Sequence, residues 1–271
     1  MQHEHSLFDP LSGLTLHVGG EMQLLERARQ SPEPKELVVA PVELHQRNVQ
    51  RRLREANRPK DVFEFDDPVG VCRTILRGES ESTEAIDRID RLALVRDLLD
   101  NSPESVTPTV SLPAGIDSRG PQHVEQVRAE VEAVTNFHPE RIAAWEDAST
   151  ELYDPIDLDT AELLEVALDV EHGLREPTPK ATSETELVRR ATRALTATDG
   201  GAWTNVFAHI DRLSLVGLSS ISADLADFVH GLVATTTLDV HVHFRAATGE
   251  YLKSRVPALF DVSEPGQVMF E

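Results

Sequence analysis

The sequence predicts an α/β protein built on a parallel sheet of about five strands, interrupted by a large helical insertion. Short strand patterns alternate with helical patterns over residues 1–78, and this alternation returns over residues 200–271. Between them, over residues 79–199, strand patterns nearly vanish and apolar residues recur at helical spacing. Strands that alternate with helices favour right-handed crossovers and a parallel sheet. We therefore expect two halves of one α/β domain with a helical domain inserted between them.

The first half contains three predicted strand–helix units. An alternating apolar run at 14–18 reaches Gly19-Gly20 and passes directly into an amphipathic helical pattern that extends to residue 30. Proline suits the first turn of a helix, so Pro68 marks the start of the third helix. The predicted strands cover 14–18, 36–42 and 61–66, and the second helix covers 43–57.

The insertion and the second half are predicted from the same patterns. Proline-rich joints separate the helices of the insertion, and a serine cap opens one helix of the second half. The tail, residues 263–271, is expected to be loosely held. The helices of the insertion cover 83–100, 122–137, 160–174 and 183–195. The second half has strands at 213–220 and 238–244 and helices at 202–211, 222–234 and 248–261.

The charge of the chain suggests a protein adapted to a salt-rich cytosol, such as that of a halophilic archaeon. Its formal net charge is -21, with 47 acidic residues against 26 basic ones. Only four of the basic residues are lysines: Lys35, Lys60, Lys180 and Lys253. At about 1 M salt the Debye length falls to about 3 Å, which screens the repulsion between surface carboxylates. An ordinary acidic mesophilic protein is the alternative.

Several classes of protein are not indicated by the sequence. Cys72 is the single cysteine, so a disulfide framework or a cysteine-based metal cluster is not expected. The first ten residues lack the basic start and apolar core of a signal peptide. No run approaches the roughly 18 apolar residues of a membrane helix. We expect a cytoplasmic protein with no membrane association.

The order of elements resembles the first RecA-like, P-loop-type domain of superfamily 1 helicases, which carries a helical insertion called 1B. Within that group it looks most like the N-terminal region of AddB- and RecC-type recombination nuclease subunits, whose motors are degenerate. The resemblance implies a role in DNA recombination or repair, within a DNA-processing complex. The stretches that carry it are 14–20, 37–53, 87–99 and 213–233.

The chain departs from that family where ATP chemistry is required. A Walker A loop needs a lysine for the phosphate oxygens and a hydroxyl for magnesium, but the glycines Gly19 and Gly20 are followed by Glu21. The strand end Val216–Leu218 offers no magnesium carboxylate, and no Gly-Asp-x-x-Gln follows residues 240–244. We interpret Gly19, Gly20 and Glu21 as a degenerate phosphate loop and expect no cofactor. The glycines then form a tight turn, or a site for a smaller anion.

A cluster of basic residues on an otherwise acidic chain is the strongest candidate contact surface. Four of its arginines follow i, i+4, i+7, i+11 spacing and share one helix face. Guanidinium groups along a face suit the phosphates of a nucleic acid, here single-stranded DNA, or a protein partner. The alternative is pairing with the acidic insertion of the same chain. The cluster comprises Arg47, Arg51, Arg52, Arg54, Arg58 and Lys60.

A second candidate site is an H-x-H pair at His241 and His243. Alternation places both on one face of a strand, where a zinc or iron site can begin. Asp239 on the same face is a possible carboxylate ligand, but no neighbouring motif offers a convincing third and fourth ligand, and the separate pair His3 and His5 lies near the chain start. Ordinary solvated or hydrogen-bonded histidines are the favoured interpretation.

The function predicted from these patterns is that of a non-catalytic, helicase-like scaffold or partner subunit. No metal-binding or catalytic residue is assigned under it. A small metal-dependent hydrolase that uses His241 and His243 is the alternative enzyme. A protein-interaction module unrelated to DNA is the third hypothesis.

Overall fold

The computed structural model describes residues 13–19, 22–28, 35–58, 63–100, 120–151 and 160–270. Within them the α/β fold class predicted from the sequence is confirmed. The elements in chain order are β1 (Leu14–Val18), α1 (Met22–Arg27), β2 (Glu36–Val39), α2 (Glu43–Glu55), β3 (Glu64–Asp66), α3 (Pro68–Gly78), α4 (Arg88–Asp100), α5 (Pro121–Thr135), α6 (Pro139–Glu151), α7 (Thr160–Arg175), α8 (Glu184–Ala197), α9 (Gly201–Phe207), β4 (Arg212–Leu218), α10 (Ala223–Thr235), β5 (Asp239–Phe244) and α11 (Ala246–Leu259).

The five strands form one parallel sheet in the order β1-β5-β4-β2-β3. β1 and β5 are neighbours in the sheet although most of the chain separates them. β5 follows α10 and pairs with β1, which is an edge strand. The register pairs Leu14 with Val240 and Val18 with Phe244, so the carboxyl ends of both strands reach the same edge.

Helices cover both faces of the sheet. Side chains such as Leu215 and Val242 point to one face and join the largest apolar cluster, which includes residues of α3, α8, α9, α10 and α11. Val38 and Val216 point to the opposite face, where they pack with residues of α1 and α2. This alternation is the period-two pattern of a strand buried on both faces.

The described residues between α3 and β4 are mainly helical, as predicted, and they include one helix that the sequence patterns missed. Helix α6 had not been predicted, because its apolar residues are sparse. Helices α4, α5 and α7 share an apolar cluster of their own, whose centre includes Val95, Val124 and Val170. Helix α8, in contrast, contributes Leu187 and Leu195 to the main cluster beneath the sheet. The division at residues 78 and 199 stays a prediction.

The tail is packed, so the expectation that it is loosely held was wrong. Val268 is buried in a cluster with Phe137 and Ile142, and the Met269 amide donates to the Phe137 carbonyl at 3.2 Å. The Phe270 ring meets the Phe137 ring edge-on at 5.6 Å. Sequence reasoning missed this contact because the apolar residues of the tail are too few to form a periodic pattern.

The described helices include none that combines the length and the apolar character needed to cross a membrane. Cys72 is a free, fully buried thiol on α3. Burial and nearby carboxylates raise its pKa well above the ordinary value.

Candidate functional site at the carboxyl edge of the sheet

The carboxyl ends of β1, β5 and β4 lie side by side, and Gly19 ends the first of them. Its amide donates to the Phe244 carbonyl at 3.0 Å, and its φ of +89° is a conformation that favours glycine. A Cβ at Gly19 would meet nothing within 4 Å. The turn therefore needs glycine for its backbone conformation rather than for a close approach. Gly20 and Glu21 lie outside the described residues.

Strand β4 carries a bulge at the position where the helicase resemblance requires a magnesium carboxylate. Its pairing with β5 shifts between Leu215 and Leu218, and Gly217 within this bulge has φ +76°. A Cβ on Gly217 would clash with the ring of His45, which comes from the first turn of α2. His45 Nε2 in turn accepts a hydrogen bond from the Arg245 guanidinium. An imidazole and a guanidinium therefore fill the space in front of this strand end.

A cavity of about 200 Å³ opens at the same edge. Two of the described residues that line it are arginines, and none of them is an aspartate or a glutamate. Such a lining suits a small anion and offers no oxygen ligand of the kind that magnesium prefers. The lining residues are Gly19, Arg52, Gly217, His243, Phe244, Arg245 and Ala246.

A larger cavity of about 650 Å³ lies between α2, α3, α8 and α10. Its lining is acidic, with carboxylates from Glu43, Asp67, Glu184 and Asp224. Among the described residues of this lining, the single arginine is Arg73, which already donates to Glu184 at 3.0 Å. This cavity therefore repels phosphate groups and is a poor candidate for nucleic-acid contact.

The predicted arginine cluster lies on the exposed face of α2. Val49 and Leu53 are buried on the opposite face of the helix, so Arg47, Arg51 and Arg54 project into solvent. The row is therefore accessible to solvent along most of α2.

The ion pairs of this row are local. Arg47 donates to Glu43 at 2.6 Å, and Arg51 lies 3.7 Å from Glu55, all on highly exposed side chains of the same helix. Pairs of this kind contribute about 0.3–0.5 kcal/mol and exchange readily with other partners. For Arg47 and Arg51, the described contacts are therefore within α2 and not with the inserted helices.

The other members of the cluster are in different environments. Arg52 lines the small cavity described above. Arg58 is partly buried beyond the end of α2, where its amide donates to the Leu53 carbonyl at 2.8 Å. Lys60 lies outside the described residues. The row predicted from sequence is thus continuous only through Arg54.

The H-x-H pair of β5 is joined by a third histidine from β1. The strand register places His17 directly opposite His243, and the side chains of His17, His241 and His243 share one face of the sheet. Candidate ligand nitrogens of the three residues lie within 4.8 Å of one another. The sequence prediction missed His17 because nothing in the sequence shows that β1 and β5 pair. The available signal was the alternation of residues 14–18, which places His17 on one face of a strand.

The three imidazoles are closely packed. His17 Nε2 and His241 Nδ1 are 2.7 Å apart, and the His243 ring stacks on the His17 ring with centroids 4.3 Å apart. His243 is 2% exposed, and neither of its nitrogens has a hydrogen-bond partner among the described residues. His241 Nε2 lies 3.0 Å from Asp239 Oδ1, an ion-pair distance without the geometry of a hydrogen bond.

Their surroundings disfavour the charged form of two of these imidazoles. Burial, together with the nearby His17 and Arg27, lowers the pKa of His243 to about 3. Burial and the neighbouring His241 and Arg27 also lower the pKa of His17. For Asp239, burial opposes ionisation, but contacts with His241 and Arg212 outweigh it and lower the pKa of the carboxyl group.

Comparison with known proteins supports the helicase resemblance at the level of the family. A search of curated proteins gives no match. A family model described as "Halobacterial UvrD-like protein" matches residues 1–271, which is the whole chain. Together with the all-parallel sheet and the strand ends described above, this match identifies a helicase-like protein. The chain belongs to the halobacterial UvrD-like family.

Proposed function

We propose that this chain is a helicase-like subunit that neither binds nor hydrolyses ATP and that serves DNA recombination or repair as a scaffold or partner. Membership of the UvrD-like family points to a helicase-related role. The proposal extends that role by analogy with AddB- and RecC-type subunits, whose helicase motors are degenerate. The observation that carries it is the end of β4, where Gly217 and the His45 ring occupy the position of the magnesium carboxylate.

The electrostatics of this edge support the loss of ATP chemistry. Magnesium bridges nucleotide phosphates to a protein hydroxyl and a carboxylate in P-loop enzymes. The described residues around the small cavity supply arginines but no carboxylate. Arg245 also hydrogen-bonds His45, which holds that ring in place. The arginines can attract a phosphate here, but the described residues of this lining offer no carboxylate to the metal needed for hydrolysis.

The arginine row of α2 supports contact with single-stranded DNA or with the partner that holds it. Arg47, Arg51 and Arg54 present guanidinium groups along one exposed face. Their partners within the helix, Glu43 and Glu55, are equally exposed and can release them at little cost. Guanidinium contacts of this kind would bind phosphates and not base edges. Phosphate contacts carry no sequence information directly, so the binding would not depend on sequence.

The test replaces the row with neutral side chains. In the Arg47→Ser/Arg51→Ser/Arg54→Ser variant, we expect loss of single-stranded DNA binding or loss of a co-purifying partner protein. Direct binding through three phosphates should show a slope of about -2 in log K against log salt, and the variant should remove that slope. The measurements are fluorescence anisotropy with labelled oligonucleotides and pull-down from the host.

A matched control makes the result specific. Arg77, Arg88 and Arg96 are exposed on α3 and α4, so Arg77→Ser/Arg88→Ser/Arg96→Ser changes the net charge equally. If both variants bind DNA and partner like the unmodified protein, the row has no contact function and the proposal fails. Equal weakening in both variants would show that only net charge matters, which would also contradict it.

A further inference from the structure

We propose that His17, His241 and His243 bind one divalent transition-metal ion of the zinc class. The three side chains lie on one face of two adjacent strands, with candidate ligand nitrogens within 4.8 Å of one another. Imidazole nitrogen is a preferred ligand of Zn²⁺, Co²⁺, Ni²⁺ and Cu²⁺, and three histidines form a complete protein ligand set for zinc. This inference does not depend on the function proposed above.

Two of the nitrogens already face each other. His17 Nε2 and His241 Nδ1 are 2.7 Å apart, and their rings are inclined by only 5°. One hydrogen atom can lie between them, and a metal ion would replace it. With zinc–nitrogen bonds of about 2.0–2.1 Å in tetrahedral geometry, the two nitrogens would sit about 3.3 Å apart. The two nitrogens therefore need to separate by about 0.6 Å from their present 2.7 Å, which side-chain rotation can supply.

His243 supplies the strongest reason to expect a ligand. It is 2% exposed, and both of its ring nitrogens lack a hydrogen-bond partner among the described residues. A buried polar group without a partner is costly, so a ligand that uses it is favoured. Its ring lies at 15° to that of His17, and imidazole lone pairs lie in the ring plane. Coordination therefore requires His243 to rotate about its Cβ–Cγ bond.

Asp239 provides the outer support that such sites commonly have. Metal-bound histidines usually donate their second ring N–H to a carboxylate, which fixes the tautomer. Asp239 Oδ1 lies 3.0 Å from His241 Nε2, without hydrogen-bond geometry, so a small turn of the His241 ring is needed to complete this contact and to present His241 Nδ1 to the metal. Arg212 donates to Asp239 at 2.8 Å and holds the carboxylate in place. Three protein nitrogens leave one position for water.

The test is a cobalt and zinc titration of the full chain after chelator treatment, in molar KCl. The background carries His3→Ala and His5→Ala, which removes the histidines nearest the chain start. We expect one Co²⁺ per chain, with visible absorption bands of tetrahedral cobalt that Zn²⁺ displaces. His17→Ala and His241→Ala should abolish these bands, and Asp239→Asn should weaken binding by about 10–100-fold.

The control is His209→Ala, since His209 is exposed and bonded to Glu64 on another part of the sheet. It should bind cobalt like the background protein. Unchanged binding in His17→Ala, or no one-to-one binding in the background protein, would overturn the proposal. If the variants fail to fold by circular dichroism, side-chain NMR of the background protein that carries His3→Ala and His5→Ala decides. Zn²⁺ must then shift three imidazoles and leave His209 unchanged, and any other pattern contradicts the site.

Discussion

Gly217 packs against the His45 ring at the strand end where the helicase resemblance leads us to expect a magnesium carboxylate. The absence of a carboxylate at Val216–Leu218 was visible in the sequence. What fills the space was not, because the contact between Gly217 and His45 joins two distant elements. Its positive φ and the close ring make glycine necessary at this bulge. The contacts of His17 were likewise not predictable, because they depend on a strand pairing that the sequence does not reveal.

Replacing Gly217 with alanine should destabilise the protein more than the same change at Gly19. Both residues have positive φ, so each substitution costs about 1–2 kcal/mol of backbone strain. Only Gly217→Ala also forces a side chain into the His45 ring, which adds about 1–3 kcal/mol of overpacking. Denaturant unfolding of the two variants measures the difference. Adding His45→Ala should recover part of the loss in Gly217→Ala, and an equal cost at both glycines would refute the clash.

At the scale of elements, the strands and most helices follow from sequence periodicity, but the contacts between helices do not. Strand β1 and the helices α2 and α3 begin where the patterns predicted. The buried polar layer that joins α5 to α7 and α8 was not predicted, because the charged residues involved look like an ordinary solvated face. Arg128 there is 1% exposed and donates to Glu125, Glu132 and Glu171.

Removing Arg128 should destabilise the fold strongly. Arg128→Met removes the cation that three buried carboxylates share, and among the described residues each of them keeps one other arginine: Arg91, Arg189 or Arg175. Breaking buried ion pairs in this way typically costs about 3–5 kcal/mol. Arg47→Met is the matched control, because the Arg47–Glu43 pair is exposed and contributes about 0–1 kcal/mol. Similar unfolding free energies for the two variants would contradict the account.

The same layer predicts that acid destabilises the protein. Burial opposes ionisation of Glu132, but Arg128 and Arg189 outweigh it and lower the pKa of this carboxyl group. Burial also opposes ionisation of Glu186, and there Arg175 and Arg190 outweigh it and lower the pKa. Because the folded pKa lies below the unfolded value, these groups stabilise the fold above about pH 4.5 and lose that effect as pH falls. Asp224, whose pKa burial raises, acts in the opposite direction.

The check compares urea unfolding at about pH 7 and about pH 4 at constant molar KCl. The unfolding free energy should be lower at the acidic pH. The drop should shrink in Arg128→Met, because the pKa of Glu132 is then closer to its unfolded value. A free energy independent of pH, or one that rises on acidification, would refute the role assigned to this layer.

At the scale of the whole molecule, the family match and the net charge characterise the protein better than any single sequence motif. The match to the halobacterial UvrD-like family covers the whole chain, whereas the stretches that carried the resemblance in the sequence are local. The net charge of -21 leads us to expect that folding needs high salt, and this stays a prediction. High salt would also weaken DNA binding through phosphate contacts, because counterion release supplies less driving force in concentrated salt.

The central claim is that the helicase-like fold has been kept while its ATP chemistry has been lost. Isothermal titration calorimetry of the full chain with ATP and magnesium in molar KCl tests it most directly. We predict no binding tighter than about 1 mM. Micromolar binding that is lost in Gly19→Ala and retained in the Arg77→Ser/Arg88→Ser/Arg96→Ser control would contradict the claim.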